Sequence, residues 1–229
     1  ADLRAVRETL RGKFGGVSGT VAKLRALWSL HAVGADDPDF LRAQLGHADE
    51  AVRTWAIRLL LDDRDAVTPA TTAALTALAQ KESAASVRLA LASALQRVPL
   101  AARSALAAPL LRHAEDATDH NLPQMLWYGI EALDENELAA LNAETALPLV
   151  RRCIARRLTE SGRATAALLS QAAATPAAHA DILRGMRDAL KGQRQARPPE
   201  GWAKAPPAFA ASADPAVRDL FRTLGGIFA

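Results

Sequence analysis

The side chains able to do chemistry in this 229-residue chain are few: five histidines, one cysteine and scattered acid pairs. His31, His47, His113, His120 and His179 include no HExxH pair, the spacing that puts two ligands on one helix face for zinc. Cys153 has no second cysteine for a CxxC ligand set or an internal disulfide. One local cluster, His113, Asp116, Asp119 and His120, carries metal-ligand side chains, and the same residues are ordinary in a solvated turn between helices. Asp36-Asp37 and Asp62-Asp63 fall where caps and turns are expected, and acid–base work would require a cleft with shifted pKa values. No GxSxG, phosphate loop or GxGxxG is present. Gly225-Gly226 reads as a helix terminator. The expectation is a chain with no catalytic residue, no metal and no cofactor of its own.

The elements that must position any site are helical. Apolar residues make up 50% of the chain, aromatics only 4%, and alanine fills 53 positions. Alanine is the best helix former and lets helices approach closely, and runs of β-branched and aromatic residues that would mark strands are missing. Net charge is +3 with both signs interspersed, unlike the single basic face of a nucleic-acid binder. No apolar stretch reaches the roughly 18–20 residues of a membrane helix, and no signal peptide is visible. The chain opens and stops within helical pattern, which suits a fragment of a larger multidomain protein.

A repeat runs along the sequence. ADEAVRTWAIRLLLD (48–62), ESAASVRLALASAL (82–95) and SADPAVRDLFRTLG (212–225) each place a polar turn, then Val-Arg, then an apolar helix. The stripes are Val52, Ala56, Leu59 and Leu60; Val87, Leu91, Ala94 and Leu95; and Val217, Leu220, Phe221 and Leu224. LVRRCIARRL (149–158) fits through Val150, Ile154 and Leu158, and VAKLRALWSLHAVG (21–34) and NLPQMLWYGIEAL read as further copies. Partner helices lie between them, at DPDFLRAQLG, TPATTAALTALAQ, LAARSALAAPLLRHA and ENELAALNAE. Cap-plus-proline starts mark Asp37-Pro38 and Thr68-Pro69. The expected fold is all-α, a solenoid of antiparallel helix pairs of HEAT or armadillo type, forming one domain over 1–229. Two regions break the rhythm. GKFGGVSG (12–19) reads as a flexible turn. An irregular proline-rich insertion spans 192–213, within which ARPPEGWAKAPPAFAAS (196–212) holds four of the twelve prolines and Trp202 as an apolar anchor.

Two sets of residues stand out as interaction or structural motifs. The arginines after valine, Arg53, Arg88, Arg151 and Arg218, suit a polar ladder that fixes the register of stacked repeats, with phosphate binding as the sharper alternative. Asp49 and Asp214 stand four residues before Arg53 and Arg218, within reach of a local ion pair. In DHNLPQMLWYGIEAL (119–133), Leu122, Leu126, Ile130 and Leu133 form a buried stripe, and Asp119 or Asn121 caps the helix beside His120. Trp127 and Tyr128 fall off the stripe, either buried between repeats or presenting an aromatic patch to a partner; Tyr128 suits a hydroxyl contact to a neighbouring loop or domain.

LRALWSLHAVGADD, FLRAQLGHADEAVRTWAIRLL, DHNLPQMLWYGIEAL, LVRRCIARRL and PPEGWAKAPPAFAASADPAVRDL together resemble the HEAT region of PVC-type haem-binding proteins, the putative membrane-bound dehydrogenases. The resemblance covers most of residues 20–229. It implies a β-propeller before the repeats, a cytochrome c domain with a CxxCH motif after them, and an extracytoplasmic setting. Neither propeller nor CxxCH is in this sequence. The resemblance thus implies a scaffold and protein-interaction domain whose partners are proteins or neighbouring domains of the same chain; the dispersed charge points to no specific nucleic acid, and the lack of a long apolar stretch to no membrane insertion. The alternative is a HEAT-like nucleic-acid-binding protein or DNA glycosylase, for which Trp55, Trp127 and several arginines would line a groove.

Overall fold

The computed structural model describes residues 3–63, 67–204 and 206–229, and among them the chain is helical with no strand. It divides into two compact units, 1–106 and 107–229.

The first unit holds α1 (Leu3–Gly16), α2 (Thr20–Ala32), α3 (Pro38–Gln44), α4 (Glu50–Leu60), α5 (Pro69–Ala79) and α6 (Ala85–Ala94). Helix α2 packs on α4 and α4 on α6, while α3 bridges α4 and α5, and α5 packs on α6. The helix starts are local chemistry. Asp37 accepts the Phe40 amide at 2.8 Å and Thr68 accepts the Thr71 amide at 3.2 Å, each followed by a proline whose missing N–H costs nothing in the first turn. Leu27 and Leu30 of α2, Val52, Ala56, Ile57 and Leu60 of α4, and Val87, Leu91 and Ala94 of α6 are buried. Each such leucine contributes roughly 1.5–3 kcal/mol by leaving water. Leu59, expected on the α4 stripe, is only half-buried, and Ile57 takes a core position instead. The turn expected over 12–19 is also shorter: α1 continues through Gly12, Gly15 and Gly16, with Phe14 buried against Phe40 at a 5.5 Å ring separation. Burial of that one ring offsets the low helix propensity of its glycine neighbours.

Helix α7 (Leu100–Leu110) carries the boundary between the units. The second unit contains a 3-10 turn (Ala114–Thr118), α8 (Leu122–Ile130), α9 (Glu135–Glu144), α10 (Pro148–Ser161), α11 (Thr165–Ala174), α12 (His179–Ala189), the short α13 (Pro206–Ala210) and α14 (Pro215–Ile227). Here α8, α10, α12 and α14 contact one another in succession, α9 and α11 pack against α10, and α11 also meets α12. Helix α10 stops at Gly162, whose φ of 67° is a left-handed cap that glycine adopts without strain. Helix α12 carries no Val-Arg signature and was not legible as a copy, yet it occupies the place between α10 and α14. Its Gly185 lies so close to α10 that an added Cβ would meet the Arg152 carbonyl oxygen at 2.3 Å.

The proline-rich connection is not continuous helix, as its prolines require. Trp202 is its anchor: 9% exposed, it packs on Phe221 at 5.2 Å and Phe228 at 4.8 Å, both from the α14 end. The Ala196 amide also donates to the Ile227 carbonyl at 2.8 Å, tying the connection to the same helix.

Candidate interaction surface

The four Val-Arg arginines share one geometry. Each is the fourth residue of its helix, and each guanidinium donates back to carbonyls five or six residues earlier, in the turn before that helix. Arg53 reaches the carbonyls of His47 (2.9 Å) and Ala48 (3.0 Å); Arg88 reaches those of Glu82 (3.5 Å) and Ser83 (2.6 Å). Arg218 reaches Ser212 (2.6 Å) and Ala213 (3.0 Å), and Arg151 reaches the carbonyl of Thr145. Helical side chains lean toward the N-terminus, so a long one at the fourth position lies over the entering turn and satisfies its carbonyls.

The local ion pairs expected for Arg53 with Asp49 and Arg218 with Asp214 do not form. Both aspartates cap instead, accepting the amides of Ala51 (2.9 Å) and Ala216 (2.8 Å). Capping holds each carboxylate on the amides of the first turn. Asp49 also accepts the Thr20 hydroxyl, and that bond, with the Ala51 amide, holds its carboxyl below the usual aspartate range. The partners of two arginines lie 29 and 30 residues further on. Arg53 grips Glu82 with two bonds of 2.8 and 2.7 Å, and Arg151 meets Asp181 at 3.0 Å. Glu82 is 4% exposed and also accepts the Ala84 amide at 2.9 Å in the turn that enters α6. The acidic partners of these two arginines are Glu82 and Asp181, which no i, i+4 spacing could reveal.

In the 119–133 stretch, Asp119 is the capping side chain. Its Oδ1 accepts the amides of Asn121 and Leu122, both at 2.8 Å, and these bonds, Leu122 first, keep its carboxyl below the ordinary range. Asn121 occupies the cap position without a capping bond, and His120 is exposed in the turn. Leu122, Leu126, Ile130 and Leu133 are buried. Trp127 is half-buried and lines a cleft of about 400 Å³ with Glu131, Cys153, Arg156, Arg157 and Glu160. Tyr128 is 49% exposed, and its hydroxyl makes no hydrogen bond among the described residues, so the expected tie to a neighbouring loop is not made.

That cleft is poorly suited to nucleophilic chemistry. Burial pushes the Cys153 thiol up, more than Arg152 and Arg156 pull it down, and the thiolate is the reactive form. Arg156 is held by Glu160 at 2.8 Å. Elsewhere His31 bonds the buried Asp36 carboxylate at 2.8 Å, and His113 bonds Glu115 at 2.7 Å. Asp116 and Asp119 do not join His113 and His120 in a ligand set, and no group of three metal-ligand side chains occurs among the described residues.

The surface that sequence reasoning missed lies on α2 and α4. Trp28, 38% exposed, meets Trp55 edge to face, with centroids 4.9 Å apart at 70°. The Arg58 guanidinium lies 5.1 Å from the centre of the Trp55 ring. Of this pair, only Trp55 stands among the groove residues expected from sequence; the mirrored signal is Arg25 three residues before Trp28 and Arg58 three residues after Trp55.

No family model matches the chain, and neither a curated protein nor a solved structure matches it. Among the described residues no helix is long and apolar enough to cross a membrane.

Proposed function

We propose that the chain is a non-catalytic helical-repeat module of HEAT or armadillo type that binds proteins or neighbouring domains. The observation that carries this reading is the shared arginine device: the same residue, at the same helix position, bonds carbonyls of the turn before its own helix in α4, α6, α10 and α14. A unit repeated to that level of detail, with long-range rungs such as Arg53–Glu82, suits a rigid support that presents a surface. Fold alone assigns no activity.

The resemblance of the 119–133 and 149–158 segments to the PVC-type haem-binding dehydrogenases suggests the setting: a spacer orienting a dehydrogenase propeller and a cytochrome c domain outside the cytoplasm. The haem would belong to the cytochrome domain. A c-type haem is attached through CxxCH, and the half-buried Cys153 with no second cysteine does not fit that role. The coding sequence on either side tests the setting. A propeller upstream and CxxCH downstream are expected, and flanks lacking both would overturn it.

The Trp28–Trp55 pair with Arg58 supports a second reading, nucleic-acid binding with DNA glycosylase activity among its forms. Release of an alkylated base, abolished by Trp55→Ala, would establish it in place of the first.

A further inference from the structure

We propose that the exposed face of α2 and α4 around Trp28 and Trp55 docks an acidic peptide segment of a partner protein. This rests on the interaction-module reading and names the class of its partner.

The two helices run side by side in the same direction. Thr20 at the start of α2 bonds Asp49 at the start of α4, Trp28 meets Trp55 midway, and His31 stands 3.5 Å from Asp62 at the far ends. Along α2, Val21, Arg25 and Trp28 follow at four- and three-residue intervals and so share a face. Val21 is 63% exposed, and Arg25 and Trp28 are exposed with it. Along α4, Trp55 and Arg58 share a face in the same way. Tryptophan and arginine are the residues most enriched among the few that dominate binding energy at interfaces.

Charge decides the occupant. Neither Arg25 nor Arg58 has an ion-pair partner among the described residues. The nearby carboxylates are engaged at the two ends: Asp49 caps α4 and takes the Thr20 hydroxyl, Glu50 accepts the Ser86 hydroxyl at 3.1 Å, and Asp62 stands by His31. The middle of the face is left with two indole rings, two guanidinium groups and no acid. A segment alternating acidic and apolar side chains supplies what is missing, carboxylates to the arginines and apolar groups to the rings. A nucleic-acid strand fits less well. It requires a track of cations along its phosphates, and Arg58 already lies over the Trp55 ring where a base would stack.

The test uses the whole chain and fluorescein-labelled synthetic peptides in which leucine and proline alternate with either glutamate or lysine, with oligothymidylate as the third probe. Anisotropy and tryptophan emission are read at low ionic strength and again at higher salt. The glutamate peptide is expected to bind about tenfold or more tighter than the lysine peptide, a difference of about 1.4 kcal/mol, to shift the tryptophan emission and to weaken with salt. Arg25→Glu with Arg58→Glu should reverse the preference toward lysine, and Trp28→Ala should weaken binding without reversing it; circular dichroism checks that both variants fold. No binding of the glutamate peptide, equal binding of both peptides, tighter binding of oligothymidylate, or indifference to the charge reversal would each overturn the proposal. The interaction-module reading would survive a failure here, because it rests on the shared arginine geometry and this test addresses the α2–α4 face alone.

Discussion

Arg53 and Glu82 are joined by two parallel bonds, Nε to Oε2 at 2.8 Å and Nη2 to Oε1 at 2.7 Å, across 29 residues of sequence. The Glu82 side chain is 3% exposed and that of Arg53 14%. Removing one partner of such a pair leaves the other buried and uncompensated, which costs about 3–5 kcal/mol. Glu82→Ala is therefore expected to lower stability by about 3 kcal/mol or more in chemical denaturation, losing the bond from the Ala84 amide as well. A loss under about 1 kcal/mol, the level of an exposed pair, would show that the site is wet.

The same carboxylate makes part of the stability depend on pH. Burial alone would push Glu82 up, but the bonds from Arg53 and the Ala84 amide, with the Arg53 and Arg88 charges, hold it below the usual glutamate range. Its folded pKa lies below the unfolded one, so its stabilisation is complete above the unfolded value of about 4.3 and disappears as pH falls through the folded value. Wild type should lose stability over that acid range, and Glu82→Gln should lose less between the same pH values. Parallel acid limbs for the two proteins would remove Glu82 from the account.

Gly185→Ala sets two effects against each other. Alanine is favoured over glycine in a helix interior by about 1 kcal/mol. The new methyl group would lie 2.3 Å from the Arg152 carbonyl oxygen and 2.7 Å from the Ala155 Cβ, so α10 and α12 must part. Backbone atoms cannot swing aside, and overpacking is expected to win, with a net loss of about 1–3 kcal/mol. An equal or raised melting temperature would mean that the two helices do not approach so closely.

Helix α8 offers a contrast between neighbours. Leu126 is fully buried, and Leu126→Ala is expected to cost about 2–5 kcal/mol. Tyr128 is half exposed, its hydroxyl without a partner among the described residues, so Tyr128→Phe should stay within about 0.5 kcal/mol of wild type. A stable Leu126→Ala variant would remove this stripe from the core.

Asp119 tests the start of the same helix. Asp119→Ala removes the acceptor for two amides and should cost about 1 kcal/mol, while Asp119→Asn should keep most of it. If the two variants were equally unstable, the charge and not the capping bond would be the stabilising feature.

The sequence alone was enough for what depends on neighbours in the chain. Helical spacing marked Val52, Ala56 and Leu60, and Leu122, Leu126 and Ile130, as core, and a cap followed by proline placed the starts of α3 and α5. Composition excluded sheet, and four prolines with one tryptophan described the connection before α14. Tertiary structure decided what depends on which helices lie side by side. Asp49 could equally have paired with Arg53 four residues on; packing gave it Thr20 and gave Arg53 to Glu82. Helix α12 has Asp181 and Ile182 where the Val-Arg pair would stand; Asp181 supplies a carboxylate to Arg151 and Gly185 the close approach, and both roles exist only against α10. Trp28 and Trp55 are 27 residues apart and become one surface only when α2 and α4 align. Periodicity within a helix reports which side is buried, but contacts a repeat apart depend on helix packing, and no local spacing encodes it.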